Sequence, residues 1–281
     1  MSPKRITAMS RILIPIDFSE CSLNALEYGL KYAEKTDPEP RIIIAHGYNI
    51  PIPAAEFSMS LNATVLDEFK KDAEAKFEKL KERFPALKKN SVKFDVKMAF
   101  VLDAILKCVH EENPHLIIMG TKGSSGINEV LFGSNTSGII KSSKIPVIAV
   151  PENFKAGAIS RITLAFDNKE LEDSSILEIV RRLSSIYHAP VDILHIQNKS
   201  EENDDGPAML ANFFEGVQHE FHLIEGNDIA EEIEKFLDKS NSDLLAMIPK
   251  RHTIIERLFT RSITSKIAQH TRIPLLAIPI K

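Results

Sequence analysis

Leu116-Ile117-Ile118-Met119-Gly120-Thr121-Lys122-Gly123-Ser124-Ser125-Gly126-Ile127-Asn128-Glu129-Val130-Leu131-Phe132-Gly133-Ser134-Asn135-Thr136 decides how this chain folds. Its first four residues form a short unbroken apolar run, the pattern of a strand buried on both faces, and glycine follows at once. Open parallel sheets bind ligands at that C-terminal strand end. Glycine lets backbone N–H groups approach an anion with no Cβ in the way. Gly133-Ser134-Asn135-Thr136 reads as the opening of a helix, whose first amides and positive dipole end favour phosphate. The hydroxyls of Ser134 and Thr136 are candidate additional donors. A phosphate cradle is therefore expected between this strand and this helix.

The same alternation of short apolar runs with helical patterns extends in both directions, implying right-handed crossovers and a parallel sheet covered on both faces. In the first half the strands are expected at about Arg11–Ile16, Arg41–His46, Val92–Ala99, Leu116–Met119 and Val147–Val150. Ser19 or Ser22 can cap a first helix reaching about Glu34, and Thr64–Phe84 carries an amphipathic stripe of Val65, Leu66, Phe69, Ala73, Phe77, Leu80 and Phe84. That stripe predicts packing against the core or between domains. Asn49–Ala63 is long for a connection and is placed to cover a ligand cleft; its counterpart Asn198–Pro207 is acidic.

Shifting the chain by 128 residues lays Met119 on Met247, Lys122 on Lys250, Ser134 on Ser262 and Ile145-Pro146 on Ile273-Pro274. This is an internal duplication. At another offset Ile12–Asp17 matches Ile162–Asp167, and Ile44-Ala45-His46 matches Ile193-Leu194-His195. The expected architecture is α/β with two Rossmann-like domains, residues 1–153 and 154–281, each a five-stranded parallel sheet flanked by helices. The chemistry of the halves differs, because Ile248, Arg251 and Arg261 stand opposite Gly120, Gly123 and Gly133, and Pro249 lacks an N–H. The second half is thus expected to be degenerate, with Arg251 and Arg261 solvated or facing a smaller anion.

The 281 residues suffice for two cores, and 35 basic against 39 acidic residues give a formal charge of −4, which offers no general basic field for nucleic acid. No apolar run reaches the roughly 20 residues of a membrane helix, and Met1–Arg11 has no apolar centre of signal-peptide type, so a cytoplasmic location is expected. Cys21 and Cys108 belong to no paired motif and are read as buried small residues. His219 and His222 fall at odd and even positions of one strand-like run, which argues against a metal shared by them, and no metal ligand is nominated.

Gly120-x2-Gly123-x9-Gly133-Ser134, the closing Ile145-Pro146-Val147-Ile148-Ala149-Val150-Pro151 and the Asp17 ending the first strand together resemble the universal stress protein family, in the form that binds a nucleotide. The resemblance implies a fold akin to the nucleotide alpha-hydrolases and a site for ATP or AMP. It assigns Asp17 to the ribose hydroxyls, the Gly47 backbone to adenine, Gly120 near the ribose, and Gly123, Gly133, Ser134 and Asn135 to phosphates. A magnesium ion on those phosphates would take most of its ligands from water and nucleotide. For Asp17 a turn or cap before Ser19 is the competing reading. His46 and His195 recur in both halves, which favours packing over catalysis. Members of the family commonly dimerise through the last strand, so Val147–Val150 is expected to pair with Leu275–Ile278 as an intramolecular pseudo-dimer. Pairing of whole chains into a homodimer is left open.

No G-x-x-x-x-G-K-[ST] sequence and no metal-binding carboxylate accompany the glycines, so binding is better supported than turnover and no catalytic residue is nominated. The reading is an adenine-nucleotide-responsive stress adaptor with an unnamed protein partner. The alternatives are a slow ATPase and a nucleotide-independent scaffold.

Overall fold

The computed structural model describes residues 10–48, 63–89, 91–122, 133–166, 174–197, 210, 212–248 and 272–279, with the backbone alone at 63–66 and 174–175. Asn49–Asn62 of the expected cleft cover, Gly123, Asn198–Pro207, Pro249, Arg251 and Arg261 lie outside these residues. The first half runs β1 (Arg11–Pro15), α1 (Glu20–Thr36), β2 (Arg41–Gly47), α2 (Ala63–Arg83), β3 (Val92–Lys97), α3 (Val101–Glu112), β4 (Leu116–Gly120), α4 (Ser134–Ser142) and β5 (Val147–Val150). The second half supplies β6 (Ile162–Ala165), α5 (Glu178–Tyr187), β7 (Val191–Gln197), β8 (His219–Glu225), α6 (Ile229–Ser240), β9 (Leu244–Met247) and β10 (Leu275–Ala277).

The strands form one ten-stranded sheet in the order β3-β2-β1-β4-β5-β10-β9-β6-β7-β8. Each half is a five-stranded parallel sheet of Rossmann-like type. The antiparallel pair that joins them is β5 with β10, in which Ala149, Ile148 and Val147 face Leu275, Leu276 and Ala277. The closing strands therefore cover each other's edges, as the family resemblance implied.

Alternation along each strand sends side chains to two cores. Ile12, Ile14, Ile42, Ile44 and Ile118 pack with Leu26 of α1, Phe77 of α2 and Leu183 of α5. Leu13, Ile43, Ile117 and Met119 pack with Ile105 of α3, Ile139 of α4 and Ile233 of α6. Ala73, Phe77 and Leu80 of the α2 stripe are buried, and the Phe77 ring stacks on Phe94 of β3 at 4.0 Å, so this stripe serves the first half's own core. Phe69 instead remains 37% exposed beside Tyr48.

The segment between β5 and β6 is tied to α1. Asn24 Nδ2 donates to the Pro151 and Phe154 carbonyls, both at 2.8 Å, and Lys31 Nζ donates to the Ala156 carbonyl at 3.1 Å. From the second half Arg182 reaches back to the Ser10 hydroxyl and the Thr36 carbonyl.

Candidate functional site

The strand ends β1, β2 and β4 and the start of α4 enclose one cleft. Among the nominated residues, Asp17, Gly47, Gly120, Gly133, Ser134 and Asn135 all line it, together with Lys122, Val101 and Met119. Asp17 and Lys122 are the charged side chains on its described wall.

Asp17 follows β1 in a tight turn whose next residue, Phe18, has a φ of +63°. One carboxylate oxygen of Asp17 accepts from the Ser19 amide at 3.0 Å and the Ser19 hydroxyl at 2.5 Å, and the Asp17 amide donates to Ser22 Oγ at 3.3 Å. Ser19 in turn caps α1 by accepting from the Ser22 amide. Asp17 thus combines the turn role with a place on the cleft wall. His46 sits on the other side of that turn, where Nδ1 carries the proton donated to the Ile16 carbonyl at 2.8 Å. Burial lowers its pKa. In the second half His195 Nδ1 meets the Phe166 carbonyl at 3.3 Å, so both repeated histidines tie a strand end to the preceding loop.

The two nominated glycines on strands also have packing reasons to be glycine. A Cβ on Gly120 would lie 2.8 Å from Cys21 Sγ and 3.0 Å from the Cys21 carbonyl oxygen. A Cβ on Gly47 would lie 3.0 Å from Ala104 Cβ and 3.1 Å from Val101 Cα. The bare backbone at β2 and β4 therefore lets α3 and α1 close on the sheet as well as leaving the cleft open. In the second half Ile248, opposite Gly120, packs against the core on the α1 and α5 face. Cys21 and Cys108 are buried free thiols, as expected, and burial raises the pKa of each, that of Cys108 to about 12.

At the other wall, Gly133 is the N-cap of α4 and brings no side-chain oxygen to its first turn. The opening amides of a helix have no partner within the helix, so this end faces the cleft with donors and positive dipole. Two neighbouring groups are already used. The Gly133 amide donates to the Thr121 carbonyl at 2.7 Å, and Thr136 Oγ1 donates to the Gly120 carbonyl at 2.8 Å. The Thr136 hydroxyl, a candidate donor on sequence grounds, is thereby a strut between α4 and β4, while Ser134 stays exposed at the mouth. The enclosed part of the cleft is about 70 Å³, and the rest of it is open to solvent.

A larger groove of about 650 Å³ lies at the opposite end of the sheet, between the ends of α1 and α2. Its rim mixes Glu27, Glu34 and Asp37 with Lys31, Arg83 and Lys89, and no glycine lines it. It has neither an uncapped helix start nor a single-sign charge field.

The residues that sequence reasoning missed lie in the second half. Asp192, Glu220 and His222 place their ligand atoms within 4.8 Å of one another, whereas His219 points to the other face, toward Phe214 and Phe221. The polar break in the apolar run Val191-Asp192-Ile193-Leu194 was the available signal.

A protein-family model, the Universal stress protein family, matches residues 9–151 and 197–279. Universal stress protein MJ0531 of Methanocaldococcus jannaschii is 30% identical over 144 residues, half of this chain and 81% of that protein. Universal stress protein MJ0577 of the same organism is 32% identical over 153 residues, again half of this chain and 93% of its own length. A solved universal stress protein from Archaeoglobus fulgidus superimposes with a TM-score of 0.71 over 96% of this chain and 98% of that one; at 22% identity it supports the fold. No helix among the described residues is long and apolar enough to cross a membrane.

Proposed function

The chain belongs to the universal stress protein family, and from that premise we propose that it is a cytoplasmic stress-response adaptor that binds ATP or AMP at one site in its first half. The observation that carries this reading is the convergence of Asp17, Gly47, Gly120, Gly133, Ser134 and Asn135, scattered over the first half in sequence, on one cleft at the C-terminal strand ends. In this reading Asp17 receives the ribose hydroxyls, Gly47 presents backbone to adenine, and the start of α4 with the Gly123 loop receives phosphate. Lys122 adds a positive charge within reach of that end. The division after residue 153 leaves a second half whose Ile248 fills the position of Gly120.

The Gly133–Thr121 bridge stands beside the cleft, so a phosphate received at the start of α4 would lie next to it. Occupancy of the cleft is the event through which the surface shown to a protein partner changes. Turnover is less well supported than binding, since the charged groups on the described wall are one carboxylate held by Ser19 and one lysine.

The test is to denature freshly purified protein, identify released small molecules by mass spectrometry, and titrate the stripped protein with ATP and AMP by calorimetry. About one adenine nucleotide per chain, lost in Gly133→Val, is the expected result. No released ligand and no heat with either nucleotide would overturn the reading and leave a scaffold.

A further inference from the structure

We propose that Asp192, Glu220 and His222 form a zinc site on the second half, separate from the cleft described above. The three side chains share one face of the adjacent strands β7 and β8, where Asp192 stands directly beside Glu220 in the register and His222 lies two residues further along. Asp192 Oδ1 and His222 Nε2 are 3.2 Å apart. That is the separation of two ligands at a tetrahedral angle on a zinc ion with bonds of about 2.0 Å. Glu220 Oε2 lies 4.0 Å from the same nitrogen on a side chain that is 72% exposed, so a small rotation completes a set of three protein ligands with a water position outward. The His222 ring is oriented by Phe236 of α6, with centroids 4.8 Å apart.

The duplication supplies an independent argument. Matching β1-β2-β3 to β6-β7-β8 through their registers aligns Ile12, Ile42 and Val92 with Ile162, Val191 and His219. Asp192 then replaces Ile43, Glu220 replaces Lys93, and His222 replaces Asp95. Ile43 is wholly buried, and Asp192 is 2% exposed at the same place. A carboxylate put where the twin carries an isoleucine is unfavourable unless it is paired or coordinated. Arg161 pairs with it, donating to both Asp192 oxygens at 3.0 Å. Yet Arg11, the first residue of β1, holds the matching position in the first half, where its Nε donates to the Asn113 carbonyl at 2.8 Å. What the second half has gained is therefore two carboxylates, in place of Ile43 and Lys93, beside a histidine in place of Asp95, rather than the arginine.

A carboxylate offers about four lone-pair positions, so Arg161 can remain as the outer hydrogen-bond donor that orients a ligating Asp192. Zinc would replace the His222–Asp192 hydrogen bond, with the ring proton moved to Nδ1. It would thereby pin the edge strand β8 to β7.

The experiment is calorimetric titration of the full chain, stripped with chelator, with zinc chloride, alongside thermal unfolding with and without zinc. The wild type should take up one equivalent at micromolar concentrations and unfold at a higher temperature when loaded. Glu220→Gln, at an exposed side chain whose change leaves the fold intact, and His222→Ala should each weaken uptake by at least about tenfold. His219→Ala, on the opposite face, should bind as the wild type does. Absence of micromolar uptake would overturn the proposal and leave a hydrogen-bonded tie between strands, as would uptake unchanged in Glu220→Gln and His222→Ala. Both outcomes are independent of nucleotide binding in the first half.

Discussion

The amide of Gly133 and the carbonyl of Thr121 meet at 2.7 Å, linking the start of α4 to the residue that follows β4. This bond ties the start of α4 to the end of β4 beside the cleft that Gly133, Ser134 and Asn135 line. Gly133 has φ −59° and ψ 160°, a conformation open to any residue, so its glycine is not required by the backbone. Valine there should cost about 1 kcal/mol of helix capping while placing a branched side chain in the cleft. Gly133→Val should therefore lower ATP and AMP affinity at least tenfold while lowering stability in urea by only about 1 kcal/mol. A large stability loss would assign this glycine to folding instead.

Thr136 is 3% exposed, and its hydroxyl is the partner of the Gly120 carbonyl. Thr136→Val keeps the shape and deletes the donor, leaving a buried acceptor unpaired. A loss of about 1–3 kcal/mol in denaturant unfolding is expected. An unchanged midpoint would show that water or another donor replaces the hydroxyl.

The Cβ of Gly120→Ala would approach Cys21 Sγ to 2.8 Å and the Cys21 carbonyl oxygen to 3.0 Å. Overpacking of this kind destabilises by about 1–3 kcal/mol. Adding Cys21→Ala removes the sulfur contact but not the backbone one, so the double variant should regain only part of the loss. Full recovery would mean that α1 moves easily relative to β4.

Most of the sheet could be read from the chain because strands buried on both faces are continuous apolar runs; Leu116–Gly120 and Val147–Val150 stand within a residue of expectation. The β3 pattern was less sharp: the expected Val92–Ala99 ends at Lys97, since an edge strand alternates and its end is set by pairing with Gly47 of β2. The cleft residues were legible as types, but not the division of labour among them. Gly47 and Gly120 look like ligand glycines in sequence, and only three-dimensional contact reveals the helices packed on them. The Thr136 hydroxyl turns inward because it lies on the buried side of α4, which depends on how that helix docks. Asp192, Glu220 and His222 were not legible as a set, because which residue of β7 faces which residue of β8 is a matter of register.

Acid sensitivity should follow His46. Burial outweighs the Ile16 carbonyl and Asp17 and holds its pKa below the ordinary histidine value. The unfolded chain takes up the proton as pH falls through about 6.5, while the folded chain resists until a lower pH. The stabilisation is therefore complete above about 6.5 and is lost progressively as pH falls to the folded value. His115, lowered by burial and then by Arg11 and Arg182, acts in the same window. His46→Asn, whose side-chain amide can still donate toward Ile16, should lose less stability than the wild type between pH 7 and pH 5 in urea titrations. Equal losses would place the sensitivity at His115.

The β5–β10 seam makes the halves one unit. Leu276 and Ile148 are both fully buried and lie opposite each other across the antiparallel pair. The core on that face runs without a break from Leu26 and Phe77 in the first half to Leu183 and Phe214 in the second. Truncating Leu276 to alanine removes methyl groups from this shared core and should destabilise by about 2–5 kcal/mol. If each half folded by itself, the loss would be confined to the second half, and calorimetry would split into two transitions with the first unmoved. With the seam, Asn24 and Arg182 all crossing the boundary, Leu276→Ala should instead lower a single transition. Hydrogen exchange should then rise in β1 and β4 as well as in β9, although neither β1 nor β4 pairs with the altered strand.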